Sequence, residues 1–131
     1  MANRLEKWEK KLRNILDHID DTLEDKFGNK YSLHPVRPER GETSSKSMDG
    51  LFDVTANFTL GLGSELGRGY VLKVKIVTLE KVSDEIQEKV DEIAMKKLEE
   101  MLPQEFPDRE LDVERDGNVI KIYGDLNLDK V

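Results

Sequence analysis

The residues best suited to chemistry sit in one irregular stretch, His34 to Lys46, reading HPVRPERGETSSK. Arg37, Arg40 and Lys46 stand out there as cations in an acidic chain, beside hydroxyl side chains that can donate hydrogen bonds. A guanidinium presents a planar fork of donors that meets a carboxylate or phosphate at two points. With His34 at its start, the stretch has the residue types of a small-anion or nucleotide site. The same types also suit a solvated loop, or a segment held by a protein partner. Pro35-Val36-Arg37-Pro38-Glu39-Arg40 fits the P-x-x-P-x-R pattern of proline-rich ligands as well. Three specified positions in six recur by chance, so that match weighs little.

Other constellations carry less. Gly61, Gly63, Gly67 and Gly69 suggest a phosphate loop, but such a loop must open a helix whose amides hold the anion. Here the glycines lead into an extended segment, which reads as a hairpin link. His18, Asp21 and Asp25 share one helical face and offer oxygen and imidazole ligands. One helix face rarely closes a coordination sphere, so a solvated acidic face is the simpler account. There is no cysteine, no G-x-S-x-G elbow, and only two histidines, which leaves nucleophilic catalysis little to draw on. Lys73, Lys75, Lys121 and Tyr123 fall on the polar side of their strands, where single-strand nucleic-acid readers carry cations and aromatics. Asp53, Asp112 and Glu114 share that side, and cross-strand ion pairing explains the lysines more simply.

The elements that must position these residues follow from periodicity. Leu5, Trp8, Leu12, Ile15, Leu16, Ile19, Leu23 and Phe27 recur every three or four residues and predict a long amphipathic helix over 3–27. Gly28-Asn29 supplies residue types that end helices in the left-handed conformation. At 1.5 Å per residue the helix is about 37 Å long. It should therefore overhang a small sheet, with Leu5 and Trp8 the residues expected to meet a second subunit. An irregular loop fills 34–50. Alternation then predicts a hairpin over 51–79, with Phe52, Val54, Ala56, Phe58, Leu60 and Leu62 facing inward on its first strand. Ser83 caps a second helix over 83–102, which Pro103 ends. In the last hairpin, 110–124, Asp116-Gly117 reads as a two-residue turn. That turn pairs Arg115 with Asn118, Val113 with Ile120, Leu111 with Ile122 and Asp112 with Lys121.

The expected fold is therefore α+β: a two-layer sandwich in the order α-β-β-α-β-β. Two helices cover one face of a four-stranded, mainly antiparallel sheet, within a single domain spanning 1–131. Composition agrees with a modest core: 37% of residues are hydrophobic and 37% charged. Net charge is −7, which argues against nucleic-acid phosphates as a partner. The charge is uneven, with five basic and two acidic residues among the first thirteen but fourteen acidic and six basic from Glu80 to Asp116. The opening residues alternate charge with apolar positions, unlike a signal peptide, and no run is long enough to span a bilayer. With no cysteine, a reducing cytoplasmic setting is the expectation.

On these grounds the chain is expected to be a non-enzymatic interaction or regulatory module needing no cofactor or metal. It would bind a protein partner or a second copy of itself. Leu5 and Trp8 are the candidate self-association residues; His34, Arg37, Arg40 and Lys46 are the candidate ligand- or partner-binding residues. The alternatives are a small anion- or nucleotide-binding protein using the 34–46 loop, and single-stranded nucleic-acid binding on the open sheet face.

Overall fold

A computed structural model describes residues 4–62, 67–116 and 119–126. The elements run α1 (Arg4–Phe27), a short 3-10 turn (Lys46–Met48), β1 (Phe52–Thr59), β2 (Gly69–Ile76), α2 (Asp84–Glu105), β3 (Leu111–Asp116) and β4 (Val119–Gly124). The strands form one antiparallel sheet in the order β1-β2-β4-β3. This is the expected α+β order, α-β-β-α-β-β, with both helices packed on the sheet. Because β2 and β3 both run antiparallel to β4, α2 links two parallel strands across the one between them.

One sheet face supplies the core. Phe52 and Val54 lie opposite Ile76 and Val74, while Leu72 and Tyr70 meet Ile120 and Ile122. Against this face α1 buries Trp8, Leu12, Ile15, Leu16, Ile19 and Leu23, and α2 buries Val90, Ala94, Leu98 and Leu102. Each is spaced so that one helical stripe points at the sheet. The Ser83 side chain accepts from the Ile86 amide at 3.2 Å, capping α2 as its sequence predicts.

Three local expectations are corrected. Pro103 does not end α2, which continues to Glu105; the Phe106 amide then closes the turn on the Leu102 carbonyl at 2.8 Å. A proline removes only its own amide donor, so residues beyond it can stay helical when their side chains are anchored. Phe106 is anchored against Trp8, with ring centroids 4.3 Å apart. Neither Gly28 nor Asn29 is left-handed, although α1 does end at Phe27. Gly28 is instead a close approach: a Cβ there would stand 2.4 Å from the Glu24 carbonyl oxygen.

The last hairpin is shifted by two residues. Asp116 pairs with Val119, Arg115 with Ile120, Glu114 with Lys121 and Val113 with Ile122, so the connecting residues are 117–118. A shift of two keeps every side chain on its face. Both registers also set an acid opposite Lys121. Neither the apolar alternation nor the charge pairing could therefore separate them.

Candidate functional site

The basic loop folds down onto the outer side of α1. Arg37 is locked to main-chain carbonyls: its Nε donates to Gly50 O at 3.0 Å, and its Nη2 lies within hydrogen-bond distance of the Ser47, Asp49 and Phe52 oxygens at 2.7, 3.1 and 3.1 Å. Arg40 reaches the acidic row of the helix, at 2.8 Å from Asp20 Oδ1 and 2.6 Å from Asp21 Oδ1. It also contacts Asp49 Oδ1 at 3.3 Å and the Lys46 carbonyl at 3.0 Å. Lys46 Nζ joins Asp21 at 2.7 and 2.9 Å. His34 closes its own turn, its Nδ1 accepting from the Val36 amide and its carbonyl from the Arg37 amide.

Local chemistry explains this fold-back. Prolines at 35 and 38 stiffen the approach. Gly50 then turns at φ +74°, where a Cβ would stand 2.4 Å from Glu24 Oε1. Glu24 uses that oxygen to accept from the Phe52 amide at 3.0 Å, tying the helix to the start of β1.

The electrostatics of this cluster are those of a clamp. Burial is the largest influence on Asp20 and pushes it up to about 7, against the pull of Arg40 and with a further rise from Glu24 and Asp21. Burial also works to raise Asp49, but hydrogen bonds from the Thr43 amide and hydroxyl, with Arg40 nearby, hold it below the usual carboxylate range. Asp21 is likewise held low, because its bonds to Lys46 and Arg40 outweigh desolvation. The structure thus brings Arg37, Arg40 and Lys46 together, and each grips the protein's own oxygens. His18 is exposed and apart from the clamp, and no group of three metal-ligating side chains occurs among the described residues.

Two other surfaces were candidates. On the open sheet face Lys73 and Lys75 are exposed, but Lys121 is buried, with its Nζ donating to the Gly67 carbonyl. Gly63 of the glycine cluster lies outside the described residues. A cleft of about 620 Å³ between the end of β2 and the start of α2 gathers Lys73, Lys75, Asp84, Glu88, Asp91 and Arg115. Three of its charges are paired with one another: Arg115 lies 3.0 Å from Glu88 and 3.6 Å from Asp91, and Gln87 donates to Asp91.

A further surface patch is apolar, and of its residues only Leu5 was expected to be exposed. Leu5 is 43% exposed, Phe58 52%, Leu60 68% and Leu62 89%. These are four of the seven exposed large apolar residues among those described; Leu5 and Phe58 line one cleft, and Leu60 and Leu62 follow Phe58 in the chain. Phe58 keeps the expected face of β1 but lies beyond the cover of the helices, and Leu60 and Leu62, expected to face inward on the strand, lie past its end and are exposed. Trp8 is corrected the other way: only 3% exposed, it does not overhang the sheet. It packs between Tyr70 and Phe106, with the Arg109 guanidinium 5.3 Å above its ring. Phe58 meets Tyr70 edge-on at 5.6 Å, so one aromatic row leads from the surface to the core. Leu5, Trp8, Phe58, Tyr70 and Leu126, with Glu9 as the one charged member, line a cleft of about 310 Å³ at this end. One signal in the sequence marks it: Val54 to Ser64 is an eleven-residue stretch without a charge, in a chain that is 37% charged.

These features define a two-layer α+β protein with a self-clamped basic loop and a largely apolar end. The chain belongs to the family whose model, described as "Uncharacterised protein", matches residues 3–124. A relative from Borreliella burgdorferi, described as "Uncharacterized protein", is 45% identical over 115 residues, covering 85% of this chain and 90% of the relative. No solved structure matches.

Proposed function

We propose that this protein is a non-enzymatic interaction module that docks a protein partner on its largely apolar end, and that it works in the reducing cytoplasm. The observation that carries this reading is that the exposed Leu5 and Phe58 line one cleft with Trp8, while Leu60 and Leu62, which follow Phe58 in the chain, are exposed as well. Exposed apolar residues scattered singly need no explanation, but a contiguous group on a strongly charged protein marks an interaction surface. Supporting it from the other side, the cations expected to hold an anion, Arg37, Arg40 and Lys46, are already bonded to the chain's own oxygens.

The test is photocrosslinking from a benzoylphenylalanine placed at position 58, with position 89 on the exposed side of α2 as the control. A discrete adduct, identified by mass spectrometry, should form from 58 and not from 89. It should disappear when Leu60→Asp is added. Equal labelling from both positions, or none from 58, overturns the reading.

A further inference from the structure

We infer that the partner is a second copy of this chain, added as an antiparallel strand along the outer edge of β1 through Ala56 and Phe58. The inference rests on the interaction reading above and goes further by naming the occupant and its register.

β1 is an edge strand. The Val77 amide donates to the Leu51 carbonyl at 2.7 Å, which fixes the alternation: odd-numbered residues of β1 point their amides and carbonyls at β2, and even-numbered ones point outward. The first outward groups are capped by side chains. The Phe52 amide is held by Glu24, the Phe52 carbonyl by Arg37 and the Val54 carbonyl by Arg13 at 2.9 Å. Such capping is how proteins blunt an edge that would otherwise pair with another chain. It stops at Val54. Ala56 and Phe58 carry no such cap among the described residues, and the exposed part of the strand starts there.

A strand edge is self-complementary about a twofold axis, and that symmetry requires an antiparallel pair. Only one register uses the uncapped groups alone: Ala56 opposite the partner's Phe58, Phe58 opposite the partner's Ala56, and Asn57 facing Asn57 across the axis. Setting Ala56 opposite itself would require the Val54 carbonyl, which Arg13 already occupies. Setting Phe58 opposite itself would stack two large rings on the axis and set Ala56 opposite Leu60, a residue beyond the end of β1. In the chosen register four amide–carbonyl bonds form. Each Phe58 ring then lands beside a small residue, over a groove of about 350 Å³ lined by Leu12, Leu16 and Ala56, with Glu9 and Arg13 beside them.

Charge points to the same occupant. Two copies of net charge −7 repel, so a pairing strand free of charge itself favours their meeting. The stretch from Val54 to Ser64 meets that condition for both at once.

The chain has no cysteine, which permits a direct test. Opposed residues of a non-hydrogen-bonded pair have Cα atoms about 4.5 Å apart, within the reach of a disulfide. Asn57→Cys should therefore oxidise to a covalent dimer at least about tenfold faster than Thr55→Cys, whose twofold mate lies several residues away along the partner strand. Sedimentation of the parent chain at high micromolar concentration should show dimer. Ala56→Pro, which removes an outward amide and spares the β1–β2 ladder, should be monomeric with its thermal midpoint near the parent's. A monomeric parent, or equal crosslinking of the two cysteine variants, overturns the self-pairing. A 58-specific photoadduct to a different protein alongside a monomeric parent would sink self-pairing and leave the interaction reading standing. No adduct at all would remove both.

Discussion

Arg37 satisfies main-chain carbonyls of Ser47, Asp49, Gly50 and Phe52 with a single guanidinium. Removing it leaves part-buried acceptors without a partner, at a cost of about 1–3 kcal/mol for each group that water cannot reach. Arg37→Ala should therefore lower stability in urea unfolding by about 2 kcal/mol or more. Arg37→Lys should recover little, because an ammonium cannot span the same set of oxygens. Unchanged stability in Arg37→Ala would mean the loop does not depend on this residue. Asp20 makes a prediction with a definite sign. Its carboxyl titrates near 7 in the folded protein, against an ordinary value of 3.8, so between those values the folded chain holds a proton that the unfolded chain has released. Stability from this group falls as pH rises through that window, with a slope of at most about 1.4 kcal/mol per pH unit. Asp20→Asn removes the titration. The stability difference between variant and parent should move steadily in the variant's favour from about pH 4 to pH 7. A flat difference would show that Asp20 ionises normally. The residue types of this clamp were legible in the sequence, but their partners were not. An arginine that binds a ligand and one that binds its own backbone look identical until the chain closes on itself.

At the scale of elements, Ser83 is the clearest local determinant. Its hydroxyl is the cap of α2, so Ser83→Ala should cost about 1 kcal/mol in thermal or urea unfolding, with the fold retained. A loss below a few tenths would show that tertiary packing of Val90, Ala94 and Leu98 sets the start of that helix without help from the cap. The positions of both helices and all four strands could be read from periodicity, because each buries one face. Their ends could not. Pro103 has a strong local preference, and packing of Phe106 on Trp8 overrides it. In the last hairpin, Asp116-Gly117 was a good turn by residue type, but the strands pair two residues further on, Val113 with Ile122 and Glu114 with Lys121, a register that the apolar alternation allows equally. The alternation of β1 was likewise correct in phase. It could not show that cover by the helices stops short of Phe58.

The whole molecule meets itself as a polyanion with one largely apolar end. An interface held by ion pairs weakens as salt is added, whereas apolar edge pairing between like-charged copies should strengthen as their repulsion is screened. The dimerisation constant from sedimentation equilibrium should therefore rise between low and moderate sodium chloride. A fall would assign the contact to charged residues elsewhere. The single tryptophan offers a second readout, since Trp8 lies under the apolar cleft and its emission should shift with dimerisation.

No described helix is long and apolar enough to cross a membrane, as the charge pattern of the chain already required. By itself the sequence determined the element order, the buried faces and the acidic, cysteine-free character of the chain, because these follow from local spacing and composition. Only the tertiary structure decided that the basic loop bonds to α1, that Trp8 lies inside, and that β1 leaves its last outward groups uncapped. Each of those depends on which distant segment covers which surface, and local periodicity carries no information about cover.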